Sequence, residues 1–138
     1  MSETLKYKGE KITIGEDKYV LPLLPYIAYD EHDAFRKITE IMKAVNDYLK
    51  NPFENHITQE VFKNIREMLF LALKRNYPEL TEKDFRDSLD VRSGLTAGGT
   101  LANQEFKAQN LIMPIIEKNV ETQAKLAVAG TAETNQAK

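Results

Sequence analysis

The chain has 138 residues, 42% of them hydrophobic and 29% charged, enough for one domain that needs neither metal nor disulfide to hold its core. It has no cysteine, which excludes a disulfide scaffold, a thiolate zinc site, an iron–sulfur cluster and a cysteine nucleophile. With 19 basic and 21 acidic residues the formal net charge is −2, so no global field draws the chain to nucleic acid or to an anionic membrane.

The N-terminal stretch Met1-Ser-Glu-Thr-Leu-Lys-Tyr-Lys carries charges and no apolar stretch of signal-peptide type, and no window approaches the roughly 18 apolar residues of a membrane span. Lys11-Ile12-Thr13-Ile14 and Tyr19-Val20-Leu21 are short β-branched and aromatic runs around Gly15-Glu16-Asp17-Lys18, which predicts a hairpin with its turn over those four residues. Pro22 and Pro25 then lack ladder donors, so an extended apolar connector follows to about residue 28. From Asp30 onward Ala34, Phe35, Ile38, Ile41, Met42, Val45, Tyr48 and Leu49 recur at helical spacing and predict one amphipathic helix with a buried stripe, ended by Asn51-Pro52. Asp30, Glu31 and Asp33 fall in its first turn, where the helix dipole favours carboxylates.

A second helix opens at Thr58, buries Val61, Phe62, Ile65, Met68, Leu69, Ala72 and Leu73, and stops at Asn76-Tyr77-Pro78, with Asn76 suited to a left-handed cap. Thr81 reads as the N-cap of a third helix to about Leu89, with Asp84 at the third helical position and Leu80 stapled to Phe85. Arg92 to Thr100 is glycine-rich and without periodicity, which predicts a mobile loop that divides the chain. Beyond it, Leu101, Phe106, Leu111, Ile112, Ile115, Ile116 and Val120 predict a further helix that Pro114 kinks or splits, and residues 121–138 read as a flexible tail. The expected fold is mainly α: an N-terminal β-hairpin and connector (1–28), a compact helical core (29–91) of a domain with about four helices, the glycine-rich loop (92–100), and a C-terminal helical segment and flexible tail (101–138).

No catalytic constellation emerges. His32, between Glu31 and Asp33, has oxygens beside it, but adjacent helical positions point around the axis and not at one centre, and His56 has no general-base context. Asp84, Asp87 and Asp90 alternate with Lys83, Arg86 and Arg92 as an ordinary charged face does. Lys63, Arg66, Lys74 and Arg75 lack the aromatics or recognition helix of a nucleic-acid reader, and Gly94, Gly98 and Gly99 are followed by no P-loop lysine. Ser88 and Ser93 lie in no nucleophile elbow. The residues argue for neither an enzyme nor a cofactor, and for no metal site.

Two stretches together resemble the tail assembly chaperones of long-tailed bacteriophages: the hairpin Lys11-Ile-Thr-Ile-Gly-Glu-Asp-Lys-Tyr-Val-Leu-Pro, and the phrase running from Ala72 to Asp90. In the second, Ala72, Leu73, Arg75, Asn76, Tyr77, Pro78, Leu80, Thr81, Leu89 and Asp90 match in place, and the resemblance covers about residues 10 to 91. The C-terminal third lies outside it. The resemblance implies a non-enzymatic protein of the host cytoplasm, absent from the mature virion, that binds and solubilises the tape measure protein and helps recruit tail tube protein. The alternative is a structural head–tail connector or tail completion protein. Arg75, Asn76, Tyr77, Pro78 and Thr81 read as a structural turn of the family phrase, whereas Phe106, Ile112, Met113, Ile115 and Ile116 are the candidate partner-binding side chains. Self-association or client binding would cover that apolar segment, and removal of residues 101–138 is expected to leave a folded core.

Overall fold

The computed structural model describes residues 5–109. An antiparallel hairpin, β1 (Glu10–Ile14) and β2 (Asp17–Leu21), is followed by helices α1 (Tyr26–Glu31), α2 (Ala34–Lys50), α3 (Gln59–Leu73), α4 (Glu82–Ser88) and α5 (residues 91–109). The fold is mainly α behind an N-terminal hairpin, as the sequence predicts. The chain divides into two units, Met1–Glu105 and Phe106–Lys138. The first holds the described core; of the second, residues 106–109 are described and are helical.

The hairpin register pairs Ile14 with Asp17, so the turn is the two-residue Gly15-Glu16 and not the four residues expected. Gly15 has a φ of 62°, and a Cβ there would lie 2.9 Å from the Ser88 carbonyl oxygen. Glycine at the first central position is what a tight hairpin turn of this hand requires. Ile12 and Ile14 alternate inward while Lys11 and Thr13 are exposed, the period of a strand with one face buried.

The helix expected from Asp30 starts only at Ala34, and Tyr26 to Ala28, expected to be extended connector, instead open a separate short helix α1. A break at His32-Asp33, where Asp33 takes a left-handed φ of 53°, separates α1 from α2, and no acidic side chain stands in the first turn of α2. Asp30 and Glu31 therefore end α1 and have no dipole role at the start of α2. The stripe of α2 is also narrower than its periodicity suggests: Ala34, Ile38 and Ile41 are buried, but Phe35 and Leu49 are exposed. In α3 the predicted face is almost wholly buried, with Val61, Ile65, Met68, Leu69, Ala72 and Leu73 in the core. Thr58, where the helix is expected to open, caps α3 through Val61 N–H, and Thr81 caps α4 through Asp84 N–H, the latter as read from the sequence. Phe85 of α4 is fully buried with its ring 5.8 Å from that of Phe70.

The largest correction concerns residues 92–100, which form the first half of α5 and not a loop. Asp90 caps it: its carboxylate accepts from Ser93 N–H at 2.7 Å, and Ser93 Oγ accepts from Asp90 N–H at 3.2 Å, a reciprocal capping box. Each glycine in a helix interior costs about 1 kcal/mol of propensity. Packing offsets the cost here, because a Cβ on Gly98 would stand 3.0–3.2 Å from three carbons of Ile65, and one on Gly99 would stand 3.6 Å from Val45. The small residues let α5 approach α2 and α3, and Ala97, Leu101 and Ala102 are buried on the same helix. Leu101 and Ala102 thus belong to the core, so a cut at residue 101 would open it. The predicted kink at Pro114 and the tail lie outside the described residues.

Candidate functional site

The family phrase and the hairpin meet in space. After Leu73 the chain turns, and Asn76, only 8% exposed, aims its carboxamide at the N-terminal strand region. Its Oδ1 accepts from Tyr7 N–H at 2.8 Å, and its Nδ2 donates to the Tyr7 carbonyl at 2.8 Å and to the Val20 carbonyl at 3.3 Å. One side-chain amide thus satisfies both main-chain polar groups of one residue as a neighbouring strand would. Asn76 is not a left-handed cap, since Asp33 is the one non-glycine residue with positive φ among those described. Its value lies in the side chain.

The neighbours of Asn76 complete the clamp. Tyr77 Oη accepts from Val20 N–H at 2.7 Å, and its ring meets Tyr19 edge-on with centroids 5.0 Å apart. The Arg75 guanidinium stacks 3.9 Å above the Tyr7 ring and donates to the Leu23 carbonyl at 2.7 Å. Its positive charge and hydrogen bond, with the help of Lys6, hold the Tyr7 phenol below its usual range. Lys74 Nζ donates to the Pro78 and Leu80 carbonyls, bracing the turn between α3 and α4. Lys74 and Arg75 are therefore occupied by the fold and form no basic row with Lys63 and Arg66.

A second tether comes from α5. Gln104 accepts from Glu10 N–H at 2.9 Å and donates to the Leu21 carbonyl at 3.0 Å, which closes the open end of the hairpin. Glu105, 3% exposed, accepts from Leu24 N–H at 2.8 Å and from the Tyr29 hydroxyl. Burial raises its carboxyl pKa above the ordinary range, and these two hydrogen bonds and the more distant Arg75 charge offset only part of that. Neither residue stands out in the sequence, because a polar pair inside a helical run reads as a solvated face.

Elsewhere the charged candidates settle into surface pairs. Glu67 of α3 receives Lys37 at 2.5 Å and His32 Nδ1 at 3.2 Å. Partial burial would raise its pKa, but these two partners outweigh it and hold the carboxyl low. Asp87 pairs with Lys83 at 2.9 Å, Asp90 is the α5 cap, and His56 is exposed. Among the described residues no helix is long and apolar enough to cross a membrane.

Of the predicted partner-binding side chains, Phe106 is helical and half-buried in the second unit, whereas Ile112, Met113, Ile115 and Ile116 lie outside the described residues. The described surface exposes apolar groups of two kinds, Phe35 and Leu49, which periodicity places in a buried stripe, and Tyr26, Ile27 and Phe53, which lie outside it. Tyr26 is 83% exposed and Phe53 90%, with Ile27, Phe35 and Leu49 also open to solvent. Met68, by contrast, is fully buried. No family model, no curated protein and no solved structure matches the chain.

Proposed function

We propose that the protein is a tail assembly chaperone of a long-tailed bacteriophage, working in the host cytoplasm to keep the tape measure protein soluble and to bring tail tube protein to it. The observation that supports the reading most is the meeting of the two stretches that carry the resemblance. Asn76 and Tyr77 of the turn bond Val20 of the hairpin, and Asn76 and Arg75 bond Tyr7 and Leu23 on either side of it. Residues shared with the family thus have a common physical task, the fixing of the hairpin on the helical body. A holder of a long helical client also needs apolar surface that it can release, and Tyr26, Ile27, Phe35 and Phe53 supply such groups.

The deciding experiment is co-expression with the tape measure and tail tube proteins of the same genome. The reading expects soluble tape measure protein that co-purifies with this chain, and finished tails that lack it. Failure to rescue the client, together with presence in purified virions, would replace it with a structural head–tail connector or tail completion protein.

A further inference from the structure

We infer that the groove between α2 and α3 is a docking site for an acidic amphipathic helix, with Lys63 and Arg66 binding its carboxylates and Phe70 and Leu71 meeting its apolar side chains. Glu40 bonds Asn64 and Lys37 bonds Glu67, so the two helices run antiparallel, and the groove along them has a volume of about 560 Å³. On its α2 side every cation is engaged. Arg36 is bonded to Asp33 and Glu40, and Lys37 and His32 are both bonded to Glu67. On the α3 side Lys63 and Arg66, one turn apart on the same helix face, line the groove without a hydrogen bond or ion pair to any described residue. Arg66 is half-buried, so its guanidinium has given up part of its hydration with no partner in return. A planar fork of five donors in that position is matched by a carboxylate from outside.

The rest of the lining selects among anions. Phe70 and Leu71 continue the α3 wall one turn beyond Arg66 and are only half-buried, so the ligand carries apolar groups within a turn or two of its charges. Glu60 and Glu82, both exposed, line the groove as well and confine the free positive charge to two side chains. Nucleic acid carries an unbroken series of charges, about one per 1.7 Å along a duplex, and runs into those carboxylates. A peptide helix with acidic residues three or four positions apart beside an apolar stripe meets Lys63 and Arg66 with the one set and Phe70 and Leu71 with the other. A third helix laid along an antiparallel pair follows the ordinary rules of helix packing.

Fluorescence anisotropy with the full chain and two synthetic helical peptides tests the proposal, one with a leucine stripe flanked by glutamates and a twin with lysines in their place. No client protein takes part, so the result stands apart from the chaperone reading. The glutamate peptide is expected to bind at least about tenfold more tightly than its twin. Lys63→Glu or Arg66→Glu should each weaken it about fivefold, and the two together should reverse the preference between the peptides, with the circular dichroism spectrum unchanged. Lys50→Glu makes the same change in net charge at an exposed site that does not line the groove, and should leave binding as in the parent. No binding of the glutamate peptide up to about 1 mM, equal binding of both peptides, or an equal loss with Lys50→Glu would overturn the proposal. Displacement of the bound peptide by an equal concentration of single-stranded DNA would assign the groove to nucleic acid instead.

Discussion

Asn76 holds both main-chain polar groups of Tyr7, a residue 69 positions away, through one carboxamide at 2.8 Å in each direction. A short stretch before the first strand is thereby joined to the end of the longest buried helix face. Asparagine is suited to the position because it presents an acceptor and a donor side by side.

Replacing Asn76 with Ala should lower stability by about 2–3 kcal/mol, since a buried amide and its partners lose their bonds together. Asn76→Asp should cost a similar amount at neutral pH, because a carboxylate cannot donate to the Tyr7 and Val20 carbonyls. Tyr77→Phe, which removes one acceptor from Val20 N–H, should cost about 1 kcal/mol. Urea unfolding of the three variants measures the order; an Asn76→Ala protein as stable as the parent would show that the clamp carries no energy.

The glycines of α5 should respond in opposite directions. A Cβ on Gly94 meets only Leu89 Cδ2 at 3.9 Å, so Gly94→Ala should stabilise by about 0.5–1 kcal/mol through helix propensity. Gly98→Val should destabilise by about 2 kcal/mol or more by forcing α5 away from Ile65. Thermal melts of both would decide between a packed helix and a flexible segment, which would tolerate the two changes alike.

Glu105 gives the protein a pH dependence of unusual sign for a carboxylate. Burial holds its folded-state pKa above the unfolded value, so its contribution to stability is complete below the unfolded pKa and is lost as pH rises through the folded one. Glu105→Gln removes that slope. The stability of the Gln variant relative to the parent should therefore rise from about pH 4 to about pH 7, as read from urea unfolding at several pH values. Glu67, Asp47 and Asp90, all held low, titrate in both proteins and cancel in the comparison. A difference that stays constant across that range would contradict the account.

A truncation series should place the end of the core beyond the glycines. A chain of residues 1–109 keeps Leu101, Ala102, Gln104 and Glu105 and should unfold cooperatively. A chain of residues 1–100 loses two fully buried side chains and both α5 tethers and should fail to fold. Circular dichroism and limited proteolysis distinguish them; a well-folded 1–100 chain would mean that α5 is an accessory to the core.

How much of this could be read in advance depended on how local the physics was. The hairpin, α3, α4 and the cap at Thr81 follow from signals a few residues long, and they stand near where those signals put them, with a tighter hairpin turn and an earlier end to α3. The helix α1 was hidden because Pro22 and Pro25 mark an extended connector and only Ala28 of its six residues is buried, so no apolar rhythm announces it before Ala34. The glycines of α5 were misread because glycine has two opposite uses, freedom in a loop and closeness in a packed helix, and only the partner surface at Ile65 and Val45 tells them apart. The Asp90–Ser93 box was the one local hint that a helix starts there. The clamp residues looked like a helix stop, and their long-range partners Tyr7, Leu23 and Val20 had no local signature at all.

The tethers of the hairpin also impose an order in time. Glu10 is bound by a side chain 94 residues downstream, Leu21 by one 83 away, and Leu24 by one 81 away. A two-stranded ribbon has little stability alone in water, so the hairpin gains its tethers in sequence during synthesis, those of Asn76 and Tyr77 first and those of Gln104 and Glu105 only with α5. The hairpin precedes every element that holds it, and a translation product interrupted between them would present it to the cell as loose strands.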